Sequence, residues 1–345
     1  MIKGGVTMKD IAREAGVSTA LVSLALNNTT DRIGRKKFKV SPETEDRIKA
    51  IADKYNYRPD SIAKSLRVRK TRAIGVILSD ISNPFFSLFA RYLENIATSK
   101  SYSVIYASTD ESAASLETMA DIMISRGVDG LVVVPCDESE SALADIRSRN
   151  LPVVLFDRDV EGADASRVLL DNKLASELSV QNLYKGGFRN IEMISYKGRM
   201  SNIVDREAGY ENAMKTLGLI DNIRIHRADY LTIEEEVRSI IYGLDFTRVD
   251  SIFFATNSLA VAGVKAMMQM GINIPEQVGV VVFDGGSSFD LFPVRISYVA
   301  QPLKEFADEV MRVMIDHIEC PDAANETVVL SPSLIEGQSS VKMRQ

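Results

Sequence analysis

Apolar positions recur at two different periods along the chain. Near the N-terminus the spacing is helical, and from residue 73 onward short β-branched runs alternate with helical stretches. Thr7-Met8-Lys9-Asp10 places a capping hydroxyl ahead of an acidic third position, and Ile11, Ala12 and Ala15 form an apolar stripe that stops at Gly16. Ser18 can open a second helix, with Val22, Ala25 and Leu26 on one face and Ala20, Leu24 and Asn27 on the other. The inner face is expected to pack on Ile11. Ser41-Pro42-Glu43 opens a third helix running to Tyr55, with Ile48, Ile51 and Ala52 at helical spacing. Three short helices, the first two joined by a tight turn, predict a helix-turn-helix unit whose second helix can enter a major groove.

Beyond Arg72 the expected strands are residues 73–78, 102–106, 130–134 and 153–156, then 191–194, 251–254 and 278–283. Strand alternating with helix implies parallel sheets covered on both faces, and two such series imply two lobes. Ligands of such sheets bind beyond the carboxyl ends of the strands, so the loops there form the cleft. Those loops carry Phe85 and Phe86, Asp157-Arg158, Arg206, Asn257 and Asp284-Gly285. Arg, Asn and Asp offer paired donors and acceptors for vicinal hydroxyls, and the two phenylalanines offer apolar faces, a combination suited to a polyhydroxylated small molecule.

Charge sharpens the division. The 345 residues carry a formal net charge of −6, but residues 1–72 hold +9 and the remainder −15. A small basic piece joined to a large acidic one is the footprint of a nucleic-acid reader attached to something else. Length exceeds the ~250–300 residues at which single cores stop growing, so more than one domain is expected. Two cysteines (Cys136, Cys320) and two histidines (His226, His317) exclude a disulfide framework and leave no metal site to expect. No apolar run reaches the ~20 residues that span a bilayer, so no membrane association and a cytoplasmic address are expected.

An enzyme reading has little to stand on. Asp157 with Asp159, or Glu234-Glu235-Glu236, could suggest a carboxylate pair for glycoside hydrolysis, but the glutamates fall on an expected helix where consecutive side chains diverge. No nucleophile elbow, phosphate-cradling loop or cofactor motif is present. Met267-Met268-Gln269-Met270 reads as helix packing. The alternatives to a DNA-binding regulator are a sugar-processing enzyme or a free solute-binding protein; the latter would not need the basic piece.

The residues themselves resemble a known family. Thr7-Met8-Lys9-Asp10-Ile11-Ala12, Ala15-Gly16-Val17-Ser18, Val22-Ser23 and Asn27 are similar to the headpiece of the lactose-repressor (LacI/GalR) family of transcription regulators. Asn56-Tyr57-Arg58-Pro59, Ala63-Lys64-Ser65-Leu66-Arg67 and Ile81-Ser82-Asn83-Pro84-Phe85-Phe86 continue the match, in register along nearly the whole chain. The resemblance implies an all-α three-helix helix-turn-helix headpiece plus a hinge helix, joined to an α/β two-lobed, periplasmic-binding-protein-like sensor with parallel sheets. Its expected parts are a headpiece over 1–59, a hinge helix and linker over 60–71, and an effector-binding and dimerisation domain over 72–345. Within the last, one lobe takes about 72–169 and 302–330 and the other about 170–297 and 331–340.

Carried over by position, Thr19 and Ala20 fall where the family contacts base edges, and Thr7, Ser18, Ser23 and Asn27 belong to its DNA-contacting set. Leu24 departs from the arginine of most relatives. Arginine can bond guanine O6 and N7 together, whereas leucine offers only an apolar surface suited to a thymine methyl. The segment 29–40, longer than the family's usual connection, carries Arg32, Arg35, Lys36, Lys37 and Lys39 and is expected to grip phosphate in a salt-dependent way. Asp60 to Arg67 matches the hinge helix, too short to be stable alone. There Ser61, Ala63 and Arg67 accompany Leu66, the residue that relatives wedge between base pairs in the minor groove.

In the sensor, the resemblance puts Arg206 at the arginine that clamps effectors, Asp157, Asn202, Asn257 and Asp284 at polar contacts, and Tyr230 at a stacking ring. Met200 stands where purine-sensing relatives have arginine, which disfavours a purine and leaves a sugar as the expected effector. The implied partners are double-stranded operator DNA, a small-molecule effector and a second copy of the chain in a homodimer. No cofactor is implied.

Overall fold

The computed structural model describes residues 6–26, 40–57, 70–286 and 288–342. Asn27, Arg35, Lys36, Lys37, Ser61, Ala63, Leu66 and Arg67, and with them the basic connection and the hinge helix, lie outside the described residues. The chain divides into two units, Met1–Thr71 and Arg72–Gln345.

In the first unit, α1 (Met8–Ala15), α2 (Thr19–Leu26) and α3 (Pro42–Lys54) surround a small core of Ile11, Ala12, Ala15, Val22, Ala25, Ile48 and Ala52. Local sequence sets each helix end. The Asp10 carboxylate accepts from the Thr7 amide at 3.0 Å and from its hydroxyl at 2.6 Å, which fixes the start of α1 and holds the Asp10 pKa below the usual carboxylate range. Gly16 ends the helix in the left-handed conformation at φ 65°, and Val17 N–H then closes on Ala12 O at 3.0 Å. Ser18 Oγ accepts from Leu21 N–H at 3.2 Å and Ser41 Oγ from Thr44 N–H at 3.3 Å, capping the next two helices.

The second unit holds two six-stranded sheets. In the first, β1 (Ala73–Leu78), β2 (Ser103–Ser108), β3 (Gly130–Val133), β4 (Val153–Phe156), β5 (Ser166–Leu170) and β11 (Thr327–Leu330) run in the order β11-β5-β4-β3-β1-β2, all pairs parallel. In the second, β6 (Ile191–Tyr196), β7 (Ile225–Ala228), β8 (Ser251–Phe254), β9 (Gly279–Phe283), β10 (Ser297–Ala300) and β12 (Ser333–Ile335) run in the order β12-β10-β9-β8-β6-β7. The expectation of purely parallel pairing fails at one place: β12 lies antiparallel to β10. It follows β11 after only two residues, too short a connection to return the chain for a parallel pairing.

Helices α4 (Pro84–Ser99), α5 (Ala113–Ser125), α6 (Glu140–Ser148) and α11 (Leu303–Glu319) belong to the first lobe, and α7 (Asn172–Lys185), α8 (Ser201–Thr216), α9 (Ile233–Gly243) and α10 (Asn257–Gln269) to the second. The chain crosses between lobes near residues 171, 301 and 331. Fully buried Val, Ile and Phe on the central strands explain why the sequence reads there as continuous apolar runs. Strands β5, β7, β10, β11 and β12 are not among the expected ones, because residues such as Arg167, His226, Arg227 and Ser297 interrupt the apolar pattern. The methionine run is only partly packing, since Met267 is buried while Met268 and Met270 are exposed. No helix among the described residues is long and apolar enough to cross a membrane.

Candidate functional site

The candidate DNA-reading surface is the start of α2. Val22 and Ala25 anchor the helix in the core, which turns Ser18, Thr19 and Ala20 to solvent and leaves Ser23 and Leu24 half-buried. Thr7 is exposed as well, at the start of α1.

The second candidate site lies at the carboxyl ends of both sheets. Asn83 and Pro84 start α4: the Asn83 side chain accepts from Phe85 N–H at 3.0 Å, and proline occupies the first helical position. This start presents Phe85 and Phe86 to the cleft. Phe85 lies nearly parallel to Phe156, with centroids 5.9 Å apart, and Phe156 in turn stacks on Phe89 at 3.8 Å, so the aromatic wall is backed by core.

Asp157 and Asp284 each follow the last residue of a strand and adopt left-handed backbone, at φ 67° and φ 63°. Asp157 is buried and accepts from Asn202 Nδ2, across the cleft, at 3.0 Å. Asp284 accepts from Gln301 Nε2 at 3.0 Å on both carboxylate oxygens. Burial raises both pKa values, that of Asp157 against the pull of Arg158 and Arg206 and that of Asp284, to about 6, against Arg206 and the Gln301 hydrogen bond.

Arg206, 3% exposed, donates from Nε to Asn172 Oδ1 and from Nη1 to Ala255 O, each at 2.8 Å, while its guanidinium lies 3.4 Å from the centre of the Phe283 ring. Burial lowers its pKa, and Asp157 and Asp284 oppose that shift. The arginine reaches this position because α7 and α8 approach closely at Gly209, where an added Cβ would sit 2.3 Å from the Lys173 carbonyl oxygen. Asn257 Nδ2 donates to the carbonyls of Asp284 at 3.1 Å and Gly285 at 3.2 Å, tying the loop after β8 to the loop after β9. The Tyr230 ring packs edge-on against Tyr196 at 5.8 Å, and its hydroxyl points across the cleft toward Asp80 at 3.5 Å.

The structure therefore gathers Phe85, Phe86, Asp157, Asn202, Arg206, Tyr230, Asn257 and Asp284 on one cleft. It adds residues that the sequence did not single out. Glu111 pairs with Arg158 through two hydrogen bonds of 2.6 and 2.7 Å, and Arg158 also donates to Pro135 O at 3.0 Å. Although burial disfavours its charge, the bonds to Glu111 outweigh that and hold the Arg158 pKa above its ordinary value. Tyr196, Asn172 and Gln301 complete the polar framework; Gln301 was hidden because the strand before it, β10, has no distinctive pattern. The lining encloses about 550 Å³ including the open mouth, but the interior measured to the centres of water molecules is about 50 Å³, room for a few waters. Among the described residues no group of His, Cys, Asp and Glu is arranged to hold a metal ion.

Comparison with known proteins agrees with both units. Residues 7–60 match the family described as bacterial regulatory proteins, lacI family, and residues 180–340 match the periplasmic binding protein-like domain. The chain is 26% identical to the HTH-type transcriptional regulator KdgR of Bacillus subtilis (strain 168), covering 97% of this chain and 98% of that protein. It is 28% identical to the ribose operon repressor of Haemophilus influenzae, covering 98% and 99%. The fold is shared with the lac repressor dimer bound to operator and an anti-inducer, at TM-score 0.83 and 16% identity over 98% of this chain and 100% of that one. It is shared also with the CelR–cellobiose complex, at TM-score 0.68 and 21% identity over 97% and 99%. The chain thus joins a DNA-binding region of the lacI family of bacterial regulatory proteins to a periplasmic binding protein-like domain, and over nearly its whole length it is similar to proteins named as transcription regulators.

Proposed function

We propose that this protein is a cytoplasmic, homodimeric transcription repressor whose headpieces read two half-sites of an approximately palindromic operator and whose cleft binds a carbohydrate that changes operator affinity. The observation that carries the effector reading is the polar array between Phe85 and Asp284. It combines two buried arginines, carboxylates fixed by Asn202 and Gln301, and aromatic faces, which together suit hydroxyls on one side of a ring and C–H groups on the other. Relatives named as a ribose operon repressor and a cellobiose-bound regulator support the same ligand class.

In this reading Asp157, Asn202, Arg206, Asn257 and Asp284 bond the ligand, and Phe85, Phe86 and Tyr230 pack on it. Thr19, Ala20 and Leu24 meet base edges, Thr7, Ser18, Ser23 and Asn27 with Arg35, Lys36 and Lys37 hold the backbone, and the segment from Ser61 through Ala63 and Leu66 to Arg67 enters the minor groove. Lobe movement around the ligand shifts the inner faces and separates the hinge helices. Linkage then requires DNA to change effector affinity by the same factor that the effector changes DNA affinity, typically ~5–150-fold. The test is selection of bound duplexes from a random pool, repeated with a sugar panel. Recovery of a twofold-symmetric site released by one sugar is expected; failure to retain any duplex at low salt, or release by purines alone, would overturn the reading.

A further inference from the structure

Arg158 reaches across the carboxyl end of the first sheet. It follows β4, whereas Glu111 follows β2, and β3 and β1 lie between those strands. On the way the guanidinium donates from Nη1 to the Pro135 carbonyl beyond β3, and it then meets Glu111 with one N–H from each Nη nitrogen, at 2.6 and 2.7 Å. The forked edge with which arginine grips a carboxylate or phosphate is thereby filled from within the protein. All three residues belong to one lobe, so the pair does not depend on how far the lobes stand apart.

The turn that delivers Glu111 is strained. Asp110 and Glu111 are consecutive residues in left-handed backbone, at φ 51° and φ 59°, although neither is glycine. Side chains other than glycine enter that region at a cost, and then as a rule singly. The pairing of β1 with β2 continues past the strand ends, through Thr109 N–H to Leu78 O at 3.0 Å and Asp110 N–H to Ser79 O at 2.8 Å, and holds the turn in place. Glycine at 111 would relieve the strain but would leave Arg158 without this carboxylate. Among the described residues on the cleft lining, Glu111 makes the third carboxylate, with Asp157 and Asp284, against two guanidiniums. Arg206 spends Nε and Nη1 on neutral oxygens and has Asp157 and Asp284 for countercharge. Without Glu111 the charges would balance and the Arg158 fork would be open.

Resting on the carbohydrate reading above, we propose that Glu111 sets the charge selectivity of the cleft: by filling the Arg158 fork it admits a neutral sugar and turns away the corresponding sugar acid. An acidic group on the ligand would meet an occupied fork and the field of three carboxylates, a repulsion that a partly desolvated cleft strengthens. Discrimination of this kind comes from an interaction built against the wrong ligand rather than from a contact added for the right one.

The experiment titrates the full chain calorimetrically with D-glucose, D-galactose and D-mannose and with the uronate and the uronamide of each; the amide keeps the size of the acid and drops its charge. For a sugar that binds, the parent chain should hold the hexose and its uronamide at least about tenfold more tightly than the uronate. Glu111→Gln should remove at least about tenfold of that margin, whereas Glu111→Asp, which keeps the charge, should retain it. A merely structural role would lower the affinity for all three forms together. That outcome, a parent chain that binds the uronate as well as the uronamide, or an unchanged margin in Glu111→Gln overturns this inference and leaves the carbohydrate reading standing. The comparison on the parent chain needs no substitution, so it can overturn the inference even if Glu111→Gln does not fold. If none of these sugars binds in any form, the carbohydrate reading fails and this inference with it.

Discussion

Asp157 and Asp284 occupy equivalent places in the two lobes. Each follows a buried phenylalanine at the end of a central strand, each has left-handed backbone, and each donates its amide to the neighbouring strand, Asp157 to Val168 O at 3.1 Å and Asp284 to Val299 O at 3.0 Å. A side chain other than glycine in that conformation costs of order 1 kcal/mol or more, and a short carboxylate tolerates it better than most. The repeated geometry turns both carboxylates into the cleft, where Arg206 stands between their fields.

A pH dependence follows from Asp284. Burial raises its pKa to about 6 in the folded protein, so the folded state holds this proton more tightly than the unfolded chain. Its contribution to stability is therefore full at acid pH and is lost as pH rises from about 4, the unfolded value, through about 6. Asp284→Asn should flatten this fall, read as the urea midpoint measured across that range. An unchanged slope would show that Asp284 titrates normally.

Arg206 holds the site together from one side. Replacing it by alanine leaves Asn172 Oδ1 and Ala255 O without donors and removes the cation facing Asp157 and Asp284. Loss of one partner from a buried charged network costs about 3–5 kcal/mol, so Arg206→Ala should lower the unfolding midpoint strongly as well as abolish effector binding. Arg206→Lys should recover stability in part but not binding, because an ammonium cannot reproduce the planar fork. Calorimetric titration with the operator-releasing sugar checks both.

Gly209 tests whether helix spacing places the arginine. Gly209→Ala pushes a methyl against the Lys173 backbone, and the strain should cost about 1–3 kcal/mol. Effector affinity should fall although residue 209 is absent from the cleft lining. A variant that is destabilised but binds normally would separate packing from positioning.

Two headpiece substitutions probe DNA readout. Leu24→Arg should shift the selected operator toward guanine at one position per half-site, with discrimination of about 1–3 kcal/mol. Replacing Arg32, Arg35, Lys36, Lys37 and Lys39 by alanine should reduce the slope of log affinity against log salt by about 0.9 for each phosphate that is no longer neutralised. Salt titrations of operator binding read the second effect directly.

Much of the architecture was written locally. The headpiece helices announce themselves because capping and termination involve residues within one turn: Thr7 with Asp10, Gly16 at the stop, Ser41 before Pro42. Central strands were legible because burial on both faces demands uninterrupted Val, Ile and Phe. The loops after those strands were legible as the cleft because a parallel sheet leaves room for a ligand only at its carboxyl ends. What the amino-acid order could not state is which distant polar groups meet. Glu111 with Arg158, Asn172 with Arg206 and Gln301 with Asp284 have no local periodicity, since each bond joins segments that only the rest of the fold brings together. The outer strands β5, β7, β10, β11 and β12, at or next to a sheet edge, likewise exist because a neighbour offers a free ladder of amides and carbonyls, not because their own residues demand extension.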